Sequence, residues 1–363
     1  MTWMGNMIRD VATSKGVSLK KLAEAIGVSR QAVNAWINGK IPKGNHLVAL
    51  CQQLDIEPNY LFSSELNHAI TVPLHRKRGR AKITSEVNDE ALGIAEQYNI
   101  LFKQSPSPGV VPILRIDQRN EKVAKAVAGK LRDLSEIERG NPIDYPHTFA
   151  LLEQLGIVAV FRSFPKTIKS YAFHAKIHGH RVIFVNIETK LIDLIFPLLH
   201  DAVHCIRDEK ITNGEYDEAE ENFCDQVANF VQFPDEYVSA IYTAISDLRP
   251  GVQINKLKEF SRRNSHSLIG IDKAMTALYP EYKLDVARAN TNLKKEFQTI
   301  GEIVFGKKDP REYVRIMKNF SPKFIRLLVE QMPNISDRKL ADYLGFDSGL
   351  DARSVKAELL RLQ

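Results

Sequence analysis

The alternation of apolar and polar residues divides the chain into short periodic segments. Met4, Met7, Ile8 and Val11 recur at helical spacing, and the pattern predicts a helix over 4–15 that stops at Gly16. Ser18 is placed to cap a second helix through Leu19, Leu22 and Ala23, followed by a tight turn at Ile26-Gly27-Val28. Ser29 then caps a third helix, Arg30 to Ile37, which Asn38-Gly39 ends. A fourth helix over about 46–54 and a short fifth over about 58–61 complete a small bundle. The helical period is lost over 64–83 and returns over 84–104, then breaks at SPSPG (105–109). Further helices are predicted over 121–137 and 145–155. GIVAVFRSFP (156–165) reads as a strand, and AFHAKI and RVIFVNI as a hairpin around His178-Gly179-His180.

Two apolar-faced helices follow, within the stretch from Leu198 to Pro234. His200 and His204 are four apart, so their rings share one helix face. Glu218, Glu220 and Glu221 lie at the start of the next helix, from about Asp217. Two imidazoles from one helix and one carboxylate from another supply three zinc ligands and leave a fourth position open. Spacing alone leaves the choice among the three glutamates open. The order helix, strand, hairpin, ligand helix, ligand helix suits an α+β core in which a sheet supports the helix bearing the histidines. The remaining chain is helical over 235–249, 254–260 and 267–278 and mixed helix over 286–330. ISDRKLADYLGFD (335–347) forms a last short helix pair, with a faint likeness to a second helix-turn-helix.

Composition changes this picture in three places. No apolar run approaches the roughly 18 residues of a membrane span, and the N-terminus lacks the apolar core of a signal peptide. Three separated cysteines, Cys51, Cys205 and Cys224, are too few for a disulfide scaffold and fit a cytoplasmic chain. The net charge of +6 is concentrated: residues 1–83 hold 12 Lys/Arg against 5 Asp/Glu. A basic end on a nearly neutral body suggests a polyanion-binding N-terminal domain. The run His75-Arg76-Lys77-Arg78 with Arg80 and Lys82 adds to it, as a phosphate contact or a solvated linker.

The third helix has suitable chemistry for a recognition helix. Ala32, Val33, Trp36 and Ile37 face inward, while Gln31 and Asn34 are three apart and their side chains pair well with adenine. Ser29, Arg30, Asn38, Lys40 and Lys43 are better placed for phosphates. The segment SLKKLAEAIGVSRQAVNAWINGKIPKGNHLVALCQQLDIEPNYLF resembles the XRE/Cro/C1-type helix-turn-helix across its length, within about residues 5–63. The resemblance implies a transcription regulator that binds a palindromic double-stranded operator as a homodimer.

A second resemblance covers about 143–237. GIVAV (156–160), IFVN (183–186), HDAVH (200–204) and ENFCDQVA (221–228) followed by FVQFP (230–234) stand where the ImmA/IrrE family of zinc metallopeptidase-like domains carries its GI-V strand, I-x-x-N hairpin end, HELGH and E-x-x-C-N-x-x-A motifs. It implies a zincin-like fold, Zn²⁺ on His200, His204 and Glu221, and Asp201 in the place of the catalytic glutamate. The family also suggests cleavage of a repressor protein. The departures are Asp201 for Glu, Val203 for Gly and Asp225 for Asn. An Asp base is shorter by one methylene, about 1.5 Å, and a displacement near 1 Å can cost a base about 100-fold in rate. His174, His178, His180 and Tyr216 are oxyanion donors by residue type only.

The expected organisation is therefore an all-α helix-turn-helix domain (1–63), a basic linker (64–83), an α+β metallopeptidase-like domain with leading helices (84–250) and a helical C-terminal region (251–363). Regulation by weak or conditional proteolysis, or by sensing, is the expected function. The alternative is a non-catalytic or antitoxin-like regulator whose second domain mediates dimerisation or partner binding.

Overall fold

A computed structural model describes residues 2–3, 5–56, 58–63, 70–72, 84–105, 118–207, 217–306 and 309–362. Met4, the SPSPG break beyond Ser105, the basic run 75–82 and Tyr216 lie outside the described residues.

The N-terminal unit begins with β1 (Thr2–Trp3), α1 (Asn6–Ser14), α2 (Leu19–Ile26), α3 (Arg30–Ile37) and α4 (Gly44–Leu54). A 3₁₀ turn (Pro58–Leu61) leads into β2 (Phe62–Ser63), which pairs antiparallel with β1. Ile8, Leu22, Val33, Trp36, Leu50 and Leu54 form its own apolar core. Ser18 and Ser29 accept hydrogen bonds from the backbone N–H groups of Lys21 (3.3 Å) and Ala32 (3.1 Å). Gly27 holds the turn between α2 and α3 at φ 74°, where a side chain would be strained.

The body carries a four-stranded sheet in the order β3 (Ile70–Thr71), β5 (Ala172–Ile177), β6 (His180–Asn186), β4 (Val158–Arg162). β5 and β6 form the hairpin, turned by His178 (φ 47°) and Gly179 (φ 84°), and β4 runs parallel to β6 in register Val158 with Val182. Two successive positive φ angles match the twist a two-residue hairpin needs. β3 is an unforeseen strand within the stretch read as linker, pairing Ile70 with Ile177. Two residues carry too little periodicity to be seen locally.

Around the sheet lie α5 (Ser85–Glu96), α6 (Asn99–Lys103), α7 (Glu121–Leu134), α8 (Tyr145–Gln154), α9 (Ile195–Arg207) and α10 (Glu218–Gln232). α9 is buried along nearly its whole length, packed on β5, β6 and α10. Beyond α10, the helices α11 (Asp235–Ile245), α12 (Pro250–Asn264), α13 (Leu268–Leu278) and α14 (Ala287–Lys294) share a separate apolar core around Ile241, Leu257, Leu268 and Met275.

The chain then returns to the body. α15 (Ile300–Val304), α16 (Pro310–Phe320), α17 (Pro322–Gln331), α18 (Asp337–Leu344) and α19 (Gly349–Leu360) bury Val304, Phe320, Leu328, Leu340 and Leu359 in the same core as the sheet. The helical stretch after 250 is thus two units, and the second completes the α+β core. Among the described residues, no helix is long and apolar enough to cross a membrane.

Two buried histidines make this body acid-sensitive. His180 packs on Phe102, and His266 lies 2.7 Å from the Ile143 carbonyl through Nε2. Burial first of all pushes both rings down to about 4. The unfolded chain therefore binds more protons between pH 6.5 and about 4. Stability is full above pH 6.5 and is lost as pH falls through that window, by about 3 kcal/mol per ring at about 1.4 kcal/mol per pH unit. Thermal melts from pH 7.5 to 4 are expected to show this fall, and His180→Phe to flatten it.

Candidate functional site

The candidate metal centre is built by two helices. α9 presents His200 and His204, one turn apart, and α10 presents Glu221 from its first turn; all three are buried. Asp217 caps α10 through the N–H groups of Ala219 (2.9 Å) and Glu220 (3.1 Å), which fixes the rotational start of the helix.

That start resolves the three glutamates. Glu218 points to solvent. Glu220 is buried and taken by arginines: Arg207 meets it at 2.5 and 2.9 Å, and Arg119 at 2.9 Å. Arg119 also binds Asp217 at 2.7 Å, so cap and ion pair are one network. Glu221 is left facing the histidines.

The His200 and His204 Nε2 atoms are 3.1 Å apart. Glu221 Oε2 lies 3.4 Å from His200 Nε2, and Oε1 lies 3.1 Å from His204 Nε2. Ligand atoms about 2.0–2.1 Å from a tetrahedral zinc sit about 3.3 Å from one another. The three edges of this triangle therefore fit a zinc-sized cation in both spacing and donor type. Among the described residues, a second group with ligand atoms within 4.8 Å of one another is His204, Glu220 and Cys224. It shares His204, and the guanidinium groups of Arg207 and Arg119 occupy its carboxylate.

The electrostatics agree with a cation site. Burial opposes the charge on Glu221, but hydrogen bonds from His200 and then His204 outweigh it and hold the carboxyl far below its ordinary range. Burial pushes the His204 ring down, against the pull of Glu221. Burial also raises the Cys224 thiol, which keeps it protonated.

Asp201 is buried beside the triangle. Its Oδ1 lies 3.8 Å from Nδ1 of His174 on β5, and the His174 ring stacks on His204 at 5.4 Å with 12° between planes. Burial alone would raise the Asp201 carboxyl; His174 first, then the charges of His200 and His204, outweigh it and hold it low. Among the described residues, His174 is thus the one sequence-nominated donor brought to the centre. His178 instead contacts Asn99 Oδ1 at 2.5 Å, and His180 packs under Phe102. Asp225, noted in the sequence only as a departure, lies 2.8 Å from His200 Nδ1.

In the N-terminal unit, Ser29, Arg30, Gln31, Asn38, Lys40 and Lys43 are exposed, and Asn34 is half-buried on α3. Val33, Trp36 and Ile37 are buried and Ala32 half-buried, so the polar and apolar faces of α3 fall as the pattern requires. The Ser29 oxygen caps α3, a role that leaves its hydroxyl hydrogen to point elsewhere.

Residues 8–61 match the model of a helix-turn-helix family, and the match supports DNA binding by this unit. No curated protein matches the chain.

Proposed function

We propose that the chain is a DNA-binding transcriptional regulator whose body is an ImmA/IrrE-like, zincin-type domain with a Zn²⁺ centre on His200, His204 and Glu221. The observation that carries this reading is the triangle of 3.1, 3.4 and 3.1 Å edges held by buried helices behind a helix-turn-helix unit. Bound zinc would polarise a carbonyl and lower the pKa of water at its open position. His200, His204 and Glu221 hold it. Asp201 occupies the position of the proton-accepting carboxylate, one methylene short, with His174 beside it. The output is slow or conditional proteolysis of a regulatory protein. A second reading, a regulator without turnover, is favoured by the engagement of Asp201 with His174 inside the fold.

On DNA, α3 enters the major groove of a palindromic operator, and two copies of the chain bind its half-sites. Gln31 and Asn34 read base edges; Ser29, Arg30, Asn38, Lys40 and Lys43 hold phosphates. Elemental analysis of protein purified without chelator is expected to give one zinc per chain, and gel shifts on the protein's own upstream DNA a discrete complex. Metal-free protein overturns the zinc centre. Gln31→Ala is expected to cost about 1–3 kcal/mol and relax preference at one base pair, whereas Lys40→Ala weakens all sequences alike and lowers the salt slope by about 1. Unchanged sequence preference in Gln31→Ala refutes the recognition-helix assignment.

A further inference from the structure

Resting on the DNA-binding reading but not on the zinc centre, we propose that α18 and α19 are a second helix-turn-helix of this chain, with α19 laid in a DNA major groove and Arg353 reading a guanine. The two pairs of helices share a pattern. Ser18, Lys21, Leu22, Ala23 and Gly27 recur at the same offsets as Ser336, Lys339, Leu340, Ala341 and Gly345. The structure gives the matched residues matched roles. Ser336 caps α18 through the Lys339 N–H at 3.2 Å, as Ser18 caps α2 through Lys21 at 3.3 Å. Leu340 and Ala341 are buried, as are Leu22 and Ala23. Gly345 ends α18 at φ 70° and Gly27 ends α2 at φ 74°. The Phe346 N–H then returns to the Ala341 carbonyl at 2.9 Å, as Val28 does to Ala23 at 3.0 Å. Ser348 caps α19 through the Leu350 N–H at 3.1 Å, after a turn one residue longer than that before α3.

α19 has the two faces a recognition helix needs. Ala352, Val355 and Leu359 are buried against the body, while Leu350, Arg353, Ser354, Ala357 and Arg361 are exposed. Leu350 and Arg353 hold the second and fifth helical positions, those of Gln31 and Asn34 on α3. Arginine pairs with guanine through two N–H groups, and an apolar side chain packs on the thymine methyl. Asp337, in the first turn of α18, accepts from Arg353 Nε–H at 2.7 Å. That contact aims the guanidinium and leaves its terminal amino groups outward, on a side chain 70% exposed.

The exposed Asp347 and Asp351 repel phosphate at the start of α19, so the phosphate contacts fall to its neighbour. α16 packs on α19 and exposes Arg311, Arg315 and Lys318 at i, i+4 and i+7, one face of that helix. Arg311 and Arg361 both approach Glu358 of α19, at 3.7 and 2.6 Å, so the basic stripe adjoins the outer face of α19. Lys and Arg outnumber Asp and Glu ten to eight over 309–363 and are outnumbered 28 to 31 over 84–308. The basic parts of the chain are thus its two helix-turn-helix ends, which favours DNA over a protein partner.

The test is selection of bound duplexes from a random-sequence DNA pool by the full chain, in wild type, Gln31→Ala, Arg353→Ala and Arg353→Lys, followed by affinities on the enriched sequences. Arg353→Lys keeps a cation beside Asp337 on an exposed side chain and is expected to melt as wild type. Wild type is expected to enrich two sequence elements. Gln31→Ala should relax one. Both Arg353 variants should relax a guanine in the other and bind it about 5–150-fold more weakly, the loss of one bidentate pair. Arg315→Ala with Lys318→Ala should weaken all sequences alike and lower the salt slope by about 2. Unchanged sequences and affinities in both Arg353 variants overturn the proposal and leave the α3 reading standing. Unchanged preference in Gln31→Ala counts against α3 alone, and a wild type that enriches no sequence overturns both. Leu350→Ser supplies the remaining arm: unchanged DNA selection with an altered sedimentation coefficient makes α19 a protein contact and overturns its assignment to DNA.

Discussion

Replacing His204 with alanine is expected to abolish stoichiometric zinc and to lower the melting temperature of protein prepared with zinc. His204 is the hub of the centre. Its Nε2 meets His200 at 3.1 Å and Glu221 at 3.1 Å, its Nδ1 faces Cys224 at 3.6 Å, and its ring stacks on His174. Four-ligand structural zinc sites bind with about 10–16 kcal/mol, or about 2.5–4 kcal/mol per ligand. Loss of one ligand therefore weakens zinc by about 100–1,000-fold. Zinc at 1,000 times its dissociation constant stabilises the fold by about 4 kcal/mol, and the variant forfeits most of that. The truncation also strips a partner from the buried Glu221 carboxylate, at a cost of about 1–3 kcal/mol. Elemental analysis and paired melts with and without chelator separate the two losses: chelator should shift the wild type strongly and the variant hardly at all. Equal shifts would show that the three side chains are a buried polar cluster without metal.

The parts of this molecule legible in its sequence are those fixed by contacts within a few turns. Ser18, Gly27 and Ser29 mark the ends of α2 and α3 because caps and a left-handed turn act on their own backbone. His200 and His204 are legible as a pair because four residues is one helical turn. Glu221 needed more than spacing, since Glu218 shares its face and Glu220 adjoins it; the resemblance pointed to it, and in the fold Asp217 as cap and Arg207 as partner of Glu220 leave it facing the histidines. His174 was nominated by residue type alone, as one of four, and Asp225 only as a departure from the resembling motif; neither was placed. One comes from a strand 26 residues before His200, the other from the next helix, and neither position carries a local signal of what faces it. The C-terminal helices were legible as helices, but their packing partners were not, for the same reason. Their amphipathic faces were readable, but α11–α14 bury them among themselves and α15–α19 bury them against the sheet, a choice made by tertiary packing.

Asp201→Glu is expected to raise cleavage of a fluorogenic peptide pool about 100-fold over a slow wild type, at unchanged zinc content. The wild-type carboxylate is buried beside His174, 3.8 Å from its Nδ1, in the place of a longer one. One methylene extends its reach by about 1.5 Å, and 1 Å of misplacement of a general base is worth about 100-fold. The longer side chain enters a buried site, so the same substitution should destabilise the fold by about 1–3 kcal/mol. Higher turnover in a less stable protein is a combination that repair of a shortened base predicts and general loosening does not. Chelator should abolish the gained activity, and Asp201→Asn should remove whatever the wild type has, because the amide accepts no proton. Should Asp201→Glu keep its zinc, melt lower as expected and cleave nothing, the carboxylate is a structural partner of His174, and the metal centre serves regulation without turnover.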